Sequence, residues 1–468
     1  MPTLDRSRAI SEDEARERAG QMAFPPPCVC CPTPGRIGLE PELFAIRRDE
    51  AGRPVGRVPL TRPDGSGVLE IVDALGAEAP RIGRRHGLSP GPWEFRLAGG
   101  GRITFEPGGQ VEHSTAVHTT GAGALADVDR TIGSLKKAFR DRGAVLASVG
   151  TDLWHSVDDV PQQLEAGRYV AQADYYKRRG RWGAVMMRHT ASLQLNLDLG
   201  REGVWQERWL LANLLSPLIT ATFSSSPGDG VACLRARAWQ ELDPTRSGFP
   251  RLLLEGNGDD PRAEWAEAAL EADVMLFRLG EHRWLTGHPG YRFVDWIRDG
   301  RDAVGWPTGE DLDYHLTTLF LEVRPRGFLE LRGGEALPEP WRAAEVALIT
   351  ATVYDDAVRE RILAILAPTR PRLDELWRRA AADGLADAEL AELAGRVWPA
   401  ALEATGRLEG YLGADAVRAA GEFLERYTAR GENPGDELRR LYAEDPALAL
   451  AWASSEPAPV RAATGTTG

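Results

Sequence analysis

Five glutamates fall in stretches whose alternation would place them on strand faces beside other polar groups. Glu40 and Glu42 stand two residues apart in Arg-Ile-Gly-Leu-Glu-Pro-Glu-Leu-Phe-Ala-Ile, beginning at Arg36. Glu106 and Glu112 flank a bend at Pro107-Gly108-Gly109. Thr104 shares the parity of Glu106, and Gln110 and Ser114 share that of Glu112. Glu330 stands next but one to Arg332 in Gly-Phe-Leu-Glu-Leu-Arg-Gly from Gly327. Carboxylates side by side beneath apolar neighbours are costly unless a cation neutralises them. Oxygen ligands without Cys or His pairs favour Mg²⁺ or Mn²⁺ over zinc. Three arginines, Arg235, Arg246 and Arg332, supply planar donors for carboxylate or phosphate groups. A carboxylate-held Mg²⁺ beside arginines is equipment for phosphoryl transfer from a nucleotide.

The element that must position these groups is Thr190 to Asp198. Ala191, Leu193, Leu195 and Leu197 fall on one face; Thr190, Ser192, Gln194, Asn196 and Asp198 fall on the other. A period of two predicts a strand with an apolar back and a polar front. That front is uncharged apart from Asp198, which suits the floor of a polar ligand site. The stretch from Arg36 reads as a second strand, an edge or a bulged one because Pro41 cannot donate to a ladder. Arg102 to Glu106 and Gln110 to Ser114 read as two more, with glycines letting the backbone turn sharply between them. Gly327 to Gly333 reads as a late strand. Arg235 to Gly248 reads as irregular backbone carrying Arg235, Arg237, Arg246 and Trp239.

Helical spacing recurs around these strands. Leu125, Val128, Ile132, Leu135 and Phe139 predict an amphipathic helix between Gly123 and Gly143. Trp205 to Phe223 is apolar nearly all round and predicts a buried helix, bent at Pro217. From Trp341 to Trp452 the chain is Ala-, Leu- and Arg-rich with helical periodicity and no recognisable chemistry. The expected organisation is a flexible arm over 1–34, a catalytic domain over 35–340, a helical region over 341–453 and a disordered tail over 454–468.

Composition narrows the class. At 468 residues with a hydrophobic fraction of 43%, the chain can bury a large core. A net charge of −13 speaks against nucleic acid or an anionic membrane as partner. No apolar run approaches the roughly 18 residues of a membrane span, and no signal-peptide core is present. A cytoplasmic protein is expected, monomeric or homodimeric. Cys28, Cys30 and Cys31 crowd ahead of the first strand, but the second pair that a zinc site needs is missing, so reduced thiols are expected. The common phosphate-loop, zinc-protease and nucleophile-elbow signatures are absent.

Several runs resemble one family. Gly38-Leu-Glu-Pro-Glu42, Glu106-Pro-Gly-Gly-Gln-Val-Glu112, Gly167-Arg-Tyr169, Met186-Met-Arg-His-Thr190 through Asp198, Ser226-Pro227, Arg235 to Gly248, and His315 through Arg332 occur in the family's order. Together they resemble the glutamate–cysteine ligases of the plant and actinobacterial type, most like the branch that opens ergothioneine biosynthesis. The resemblance implies an α+β fold with a glutamine-synthetase-like, curved antiparallel sheet wrapped by helices. It implies ATP-dependent joining of the γ-carboxylate of L-glutamate to the amine of L-cysteine, with Mg²⁺ or Mn²⁺. Under it, Glu40, Glu42, Glu106, Glu112 and Glu330 hold metal, and Glu106, Glu112 and Arg332 serve catalysis. Arg168, Thr190, Gln194, Arg235, Trp239 and Arg246 hold substrate, and Gln110, Asn196 and Arg332 hold the nucleotide. Departures at Ser224-Ser225-Ser226-Pro227 and at His113, where relatives often carry Leu, leave the acceptor amine open. A ligand-sensing relative without turnover is the alternative, disfavoured because every carboxylate and arginine is present.

Overall fold

The computed structural model describes residues 8–26, 34–75, 84–86, 93–256, 260–280, 283–302 and 304–457. Cys28, Cys30, Cys31 and most of the expected tail lie outside these residues. Twelve strands are described: β1 (Ile37–Arg48), β2 (Pro54–Arg57), β3 (Arg84–His86), β4 (Trp93–Arg96), β5 (Arg102–Phe105), β6 (Val111–Ser114), β7 (Ala144–Ala147), β8 (Leu193–Asp198), β9 (Leu276–Arg278), β10 (Trp284–Thr286), β11 (Val323–Pro325) and β12 (Phe328–Leu331). Ten of them form one antiparallel sheet in the order β11-β12-β8-β1-β6-β5-β4-β3, with β2 and β7 also on β1; β9 and β10 pair separately.

The fold is α+β, but the expected curved sheet is not found. The strand path is open, starting at β11 and stopping at β3, so the sheet does not curl round on itself. Nor is the first strand an edge. β1 is the hub, pairing β8 along Ile37–Pro41, β6 at Glu42–Leu43, β7 along Phe44–Arg47 and β2 along Ile46–Arg48. Pro41 is tolerated because the ladder toward β6 is irregular next to it. There Leu39 N–H bonds the Thr115 hydroxyl at 3.0 Å rather than a carbonyl, and Thr115 N–H returns to Leu39 O at 3.0 Å.

Register turns the alternation of the sequence into rows across the sheet. Leu331, Leu195 and Leu39 lie opposite one another, as do Leu329, Leu197 and Ile37. All six are buried. One residue along each strand, the polar row Glu330–Asn196–Gly38 lies beside Gln194–Glu40, and Glu42–Glu112–Thr104 continues it. The helices Gly121–Arg140, Val204–Phe223 and Trp341–Tyr354 pack on the sheet. Burying the three leucines of β8 contributes roughly 1.5–3 kcal/mol each, which fixes the register that brings the carboxylates together.

One stretch folds differently from its sequence pattern. Arg235 and Trp239 lie on a regular helix, Leu234–Leu242, not on irregular backbone. Ala238, Trp239 and Leu242 on its buried face explain it, and Cys233 Sγ accepts the N–H of Ala236 at its start. Within the expected arm, the charged run from Ser11 to Met22, which reads as a short helix, forms the helix Glu12–Ala23, closed by a capping box at Ser11 and Glu14. It buries Ala15, Ala19 and Ala23, and the following Phe24 sits edge-on to Trp209 at 5.4 Å. From Trp341 to Ser454 every strand-length segment is helical, as the periodicity predicts.

His113 is the odd member of the apolar face. Its parity with Val111 turns it away from Glu112, and it is wholly buried with no hydrogen-bond partner for either ring nitrogen. Burial is the main reason that its imidazole is pushed down to about 4, against the pull of Asp127. The native state therefore refuses a proton that the unfolded chain accepts, and stability falls as pH drops from about 6.5 toward 4. His113→Leu should stabilise the protein by about 1–3 kcal/mol and flatten this acid-side loss. Thermal unfolding at pH 5 and pH 7 measures it; a variant less stable than wild type at pH 5 would refute the assignment.

Candidate active site

The polar rows form the wall of a cavity of about 360 Å³ lined by all five glutamates, Glu40, Glu42, Glu106, Glu112 and Glu330. One carboxylate oxygen from each of Glu42, Glu106 and Glu112 lies within 4.8 Å of the other two. Each is held differently. Glu42 accepts the Ser192 N–H at 2.9 Å and the Ser192 hydroxyl at 2.8 Å. Glu112 accepts the hydroxyls of Thr104 at 2.7 Å and Ser114 at 3.3 Å. Glu106 leaves the end of β5 on a turn closed by Gly109 N–H to Glu106 O at 2.8 Å and Glu106 N–H to Gln110 O at 3.0 Å. Gly108 in that turn has no room for a side chain, because a Cβ would collide with the Arg188 carbonyl. Gly109 has φ +79°, the left-handed region that glycine enters freely.

Electrostatics mark the three as a set that awaits positive charge. Burial raises the carboxyl of Glu106 far above its ordinary value, and the charges of Glu112 and Glu42 add to it. Burial and the Glu42 charge raise Glu112; burial raises Glu42 against the pull of Arg235 and the Ser192 hydrogen bonds. Glu40, at the cavity edge, accepts Asn196 Nδ2 at 2.8 Å and is raised to about 7 by burial and by Glu112 and Glu330. Hard oxygen donors this close, each disfavoured as an anion by the others, fit Mg²⁺ or Mn²⁺.

Glu330 lines the same cavity but is paired with arginine. Arg324 donates to both of its oxygens, Nη2 at 2.8 Å to Oε1 and Nε to Oε2, and Arg332 Nη1 lies 3.4 Å from Oε1. Burial would raise this carboxyl, but Arg324 and Arg332 outweigh it and hold it at about 2. Arg246 stands apart from the cavity. It is wholly buried and does not line the cavity; it donates to Asp243 Oδ2 at 2.9 Å, to Thr318 O at 2.6 Å and to Asp273 O. Its backbone carbonyl accepts Phe320 N–H at 2.8 Å, so it braces a strip of the cavity wall.

The remaining expected residues divide by place. Arg168, Thr190, Gln194, Arg235, Trp239 and Arg332 line the cavity, with Phe320 and Tyr169. Arg332 Nη1 donates to Gln194 Oε1 at 2.8 Å and its guanidinium lies 5.6 Å from the Trp239 ring centre. Arg235 Nη2 donates to Arg332 O at 2.9 Å. Gln110 lines the cavity while bonding Thr190 O at 2.8 Å. Asn196 lines instead an adjoining cavity of about 670 Å³ with Arg36, Arg96 and Ser114; Glu40, Arg102 and Arg326 border both. Ser192, Arg102 and Arg324 received no role from the sequence. Ser192 was legible, since it shares the polar parity of Gln194; Arg324 was not, because only the β11–β12 register sets it opposite Glu330.

Comparison with known proteins now decides the family. The sequence profile of glutamate-cysteine ligase family 2 (GCS2) matches residues 36–454. This chain belongs to that family. It is 37% identical to the glutamate–cysteine ligase EgtA of Mycolicibacterium smegmatis over 72% of this chain and 80% of the relative. It is 33% identical to the EgtA of Mycobacterium tuberculosis over 76% of each chain. A solved glutamate–cysteine ligase from Francisella tularensis, in complex with AMP, superposes with a TM-score of 0.50 at 13% identity, covering 90% of this chain and 88% of the other, which is a likeness of fold. The matched family stretch contains Glu40, Glu42, Glu106, Glu112 and Glu330, so the acidic cluster lies inside the shared region. No helix among the described residues is long and apolar enough to cross a membrane.

Raised carboxyls give the metal-free protein a characteristic pH response. Glu40, Glu106 and Glu112 bind protons more tightly folded than unfolded, so their contribution to stability is present below about pH 4.5 and is lost as pH rises toward 7 and beyond. A divalent cation replaces those protons. The rise in unfolding temperature on adding Mn²⁺ should therefore be small at pH 5 and several-fold larger at pH 8. Equal increments at the two pH values would show that the cluster does not hold the ion.

Proposed function

We propose that the cavity joins L-glutamate to L-cysteine at the expense of ATP, forming γ-glutamylcysteine, ADP and phosphate. The observation that carries this reading is that a three-carboxylate cluster, several arginines and Trp239 line one cavity. Glu42, Glu106 and Glu112 would hold the divalent ion, with Glu40 beside them. The bound ion would neutralise the ATP phosphates and polarise the terminal one. The adjoining larger cavity has the volume for a nucleoside, and Arg102 and Arg326 at the shared border suit the phosphate chain between the two.

In the first step, an oxygen of the glutamate γ-carboxylate bonds to the terminal phosphorus as the bond to the ADP oxygen breaks, giving γ-glutamyl phosphate. In the second, the amine nitrogen of cysteine bonds to the acyl carbon, phosphate leaves with the electron pair of the C–O bond, and the amine loses a proton. Arg168 and Arg235 would bind the α-carboxylates. Arg168 makes no hydrogen bond to protein among the described residues, and its guanidinium lies 4.9 Å from the Tyr169 ring centre. Arg332, oriented by Gln194 and Glu330, would counter charge on the transferred phosphoryl. The Trp239 indole N–H, without a protein partner, and Thr190 complete the substrate wall. Glu330 and Arg246 act through their neighbours: Glu330 fixes Arg324, and Arg246 holds the strip that bears Phe320. A cytoplasmic setting agrees with these small, charged substrates.

Release of ADP that requires glutamate, cysteine and Mg²⁺ together is the first expected result. Glu112→Gln should lower it by roughly 100-fold or more. A folded wild-type protein that releases no ADP with any pair of amino acids would refute the reading.

The acceptor is tested separately. Packing discriminates by about 1–3 kcal/mol per methylene-sized difference, so 2-aminobutyrate, serine and alanine should react more slowly than cysteine but measurably. Mass spectrometry of the products from an equimolar mixture gives the order; an amine with a higher kcat/KM than cysteine would change the acceptor and leave the ligase.

A further inference from the structure

Behind the carboxylate cluster, remote from substrate, a buried arginine and its partners grip the turn that carries Glu106. Arg57, in β2, spends its two terminal nitrogens on different elements: Nη1 bonds Asp152 Oδ2 at 3.2 Å and Nη2 bonds the Gly108 carbonyl at 2.9 Å. Both side chains of the ion pair are buried, at 6% and 0% exposure, and the guanidinium lies 4.5 Å from the centre of the Phe44 ring. A second donor meets the same carbonyl, because Gln163 Nε2 bonds Gly108 O at 2.8 Å while its backbone N–H bonds Pro107 O at 2.7 Å. Gln163 is itself fixed, its Oε1 accepting the Leu60 N–H. Asp152 is fixed in turn by the N–H groups of Trp154 at 2.9 Å and His155 at 3.2 Å and by the His155 ring at 2.9 Å.

Neither Arg57, Asp152 nor Gln163 lines the cavity. Yet, among the described residues, the hydrogen bonds to the Pro107 and Gly108 carbonyls come from Arg57 and Gln163, with Asp152 holding Arg57. Of the three clustered carboxylates, Glu42 and Glu112 are held by side-chain and backbone hydrogen bonds, whereas no protein hydrogen bond to the Glu106 carboxylate is recorded among the described residues. The place of Glu106 is set by its backbone. Like charge from Glu42 and Glu112 pushes it outward, so the turn must resist being levered open.

We infer that Arg57, Asp152 and Gln163 form a positioning clamp on the Gly108 carbonyl that sets Glu106 for divalent-ion binding. The inference rests on the carboxylate cluster holding such an ion, as proposed above. It assigns the clamp a role in metal affinity and none in amino-acid recognition. Outer partners of metal ligands characteristically change affinity by about 10–100-fold when removed.

The test measures Mn²⁺ binding to the full-length protein by electron paramagnetic resonance, without turnover, beside the Mg²⁺ dependence of ADP release. Arg57→Met, which keeps the stem against Phe44, should weaken Mn²⁺ binding about tenfold and raise the Mg²⁺ needed for half-maximal activity by a like factor. The KM for glutamate at saturating Mg²⁺ should change less than about twofold. Arg57→Lys, with one ammonium for two acceptors, should recover part of the affinity. Gln163→Leu removes the second bond to Gly108 O and leaves the ion pair intact, so it tests the clamp even if Arg57→Met does not fold. Mn²⁺ affinity unchanged in Gln163→Leu and Arg57→Lys would overturn the clamp, as would glutamate KM and metal affinity worsening in parallel. Wild-type protein that binds no Mn²⁺, or Glu106→Gln protein that binds it as wild type does, would overturn both the clamp and the metal reading beneath it.

Discussion

Three carboxylates that repel one another are gathered at one face of a sheet, and most of the surrounding structure can be understood as what keeps them there. Each additional anion raises the cost of the next, which is why burial and mutual charge push Glu106 and Glu112 upward together. Left to flexible side chains, the group would splay. Instead Glu42 and Glu112 face each other across one rung of the β1–β6 ladder, and Glu106 is delivered by a glycine turn too cramped to take a side chain at Gly108. Leucines on the opposite face fix the register, so hydrophobic burial on the back of the sheet supports electrostatic strain on its front.

Much of this was legible in the sequence. The alternation from Thr190 to Asp198 identifies both the strand and its two faces, and the parity of Gln110, Glu112 and Ser114 identifies another. Period tells which face a residue takes; it does not tell which residue will sit opposite. The parity of Glu330 was legible, but its partner was not: the β11–β12 hairpin sets Arg324 across from it in a buried bidentate ion pair. Arg246 illustrates the same gap. Its neighbourhood is rich in arginine and aromatic residues, yet Asp243, three residues earlier, and carbonyls from two remote segments consume its donors. The open strand path was also beyond the sequence, because pairing order along β1 depends on contacts between segments more than a hundred residues apart.

The arginines fall into two classes that composition cannot separate. Arg246 and Arg324 are saturated by protein acceptors and work as struts, whereas Arg168 and Arg235 retain donor capacity at the cavity wall. A buried arginine with every donor satisfied is a rigid cross-link; one with donors to spare in a cavity is costly until an anion arrives. One small space therefore holds both a cluster of carboxylates and guanidinium groups with donors to spare.

On the reading proposed above, a cation held by Glu42, Glu106 and Glu112 would relieve the repulsion among them. An anion held by the arginines would offer the cluster no such relief. Residues outside the cavity gain leverage for the same reason. A clamp such as Arg57 on a peptide carbonyl would not touch the ion, but it would limit how far the least-supported carboxylate can recede from its neighbours. Holding Glu106 close would spare an arriving ion the cost of drawing the three carboxylates together.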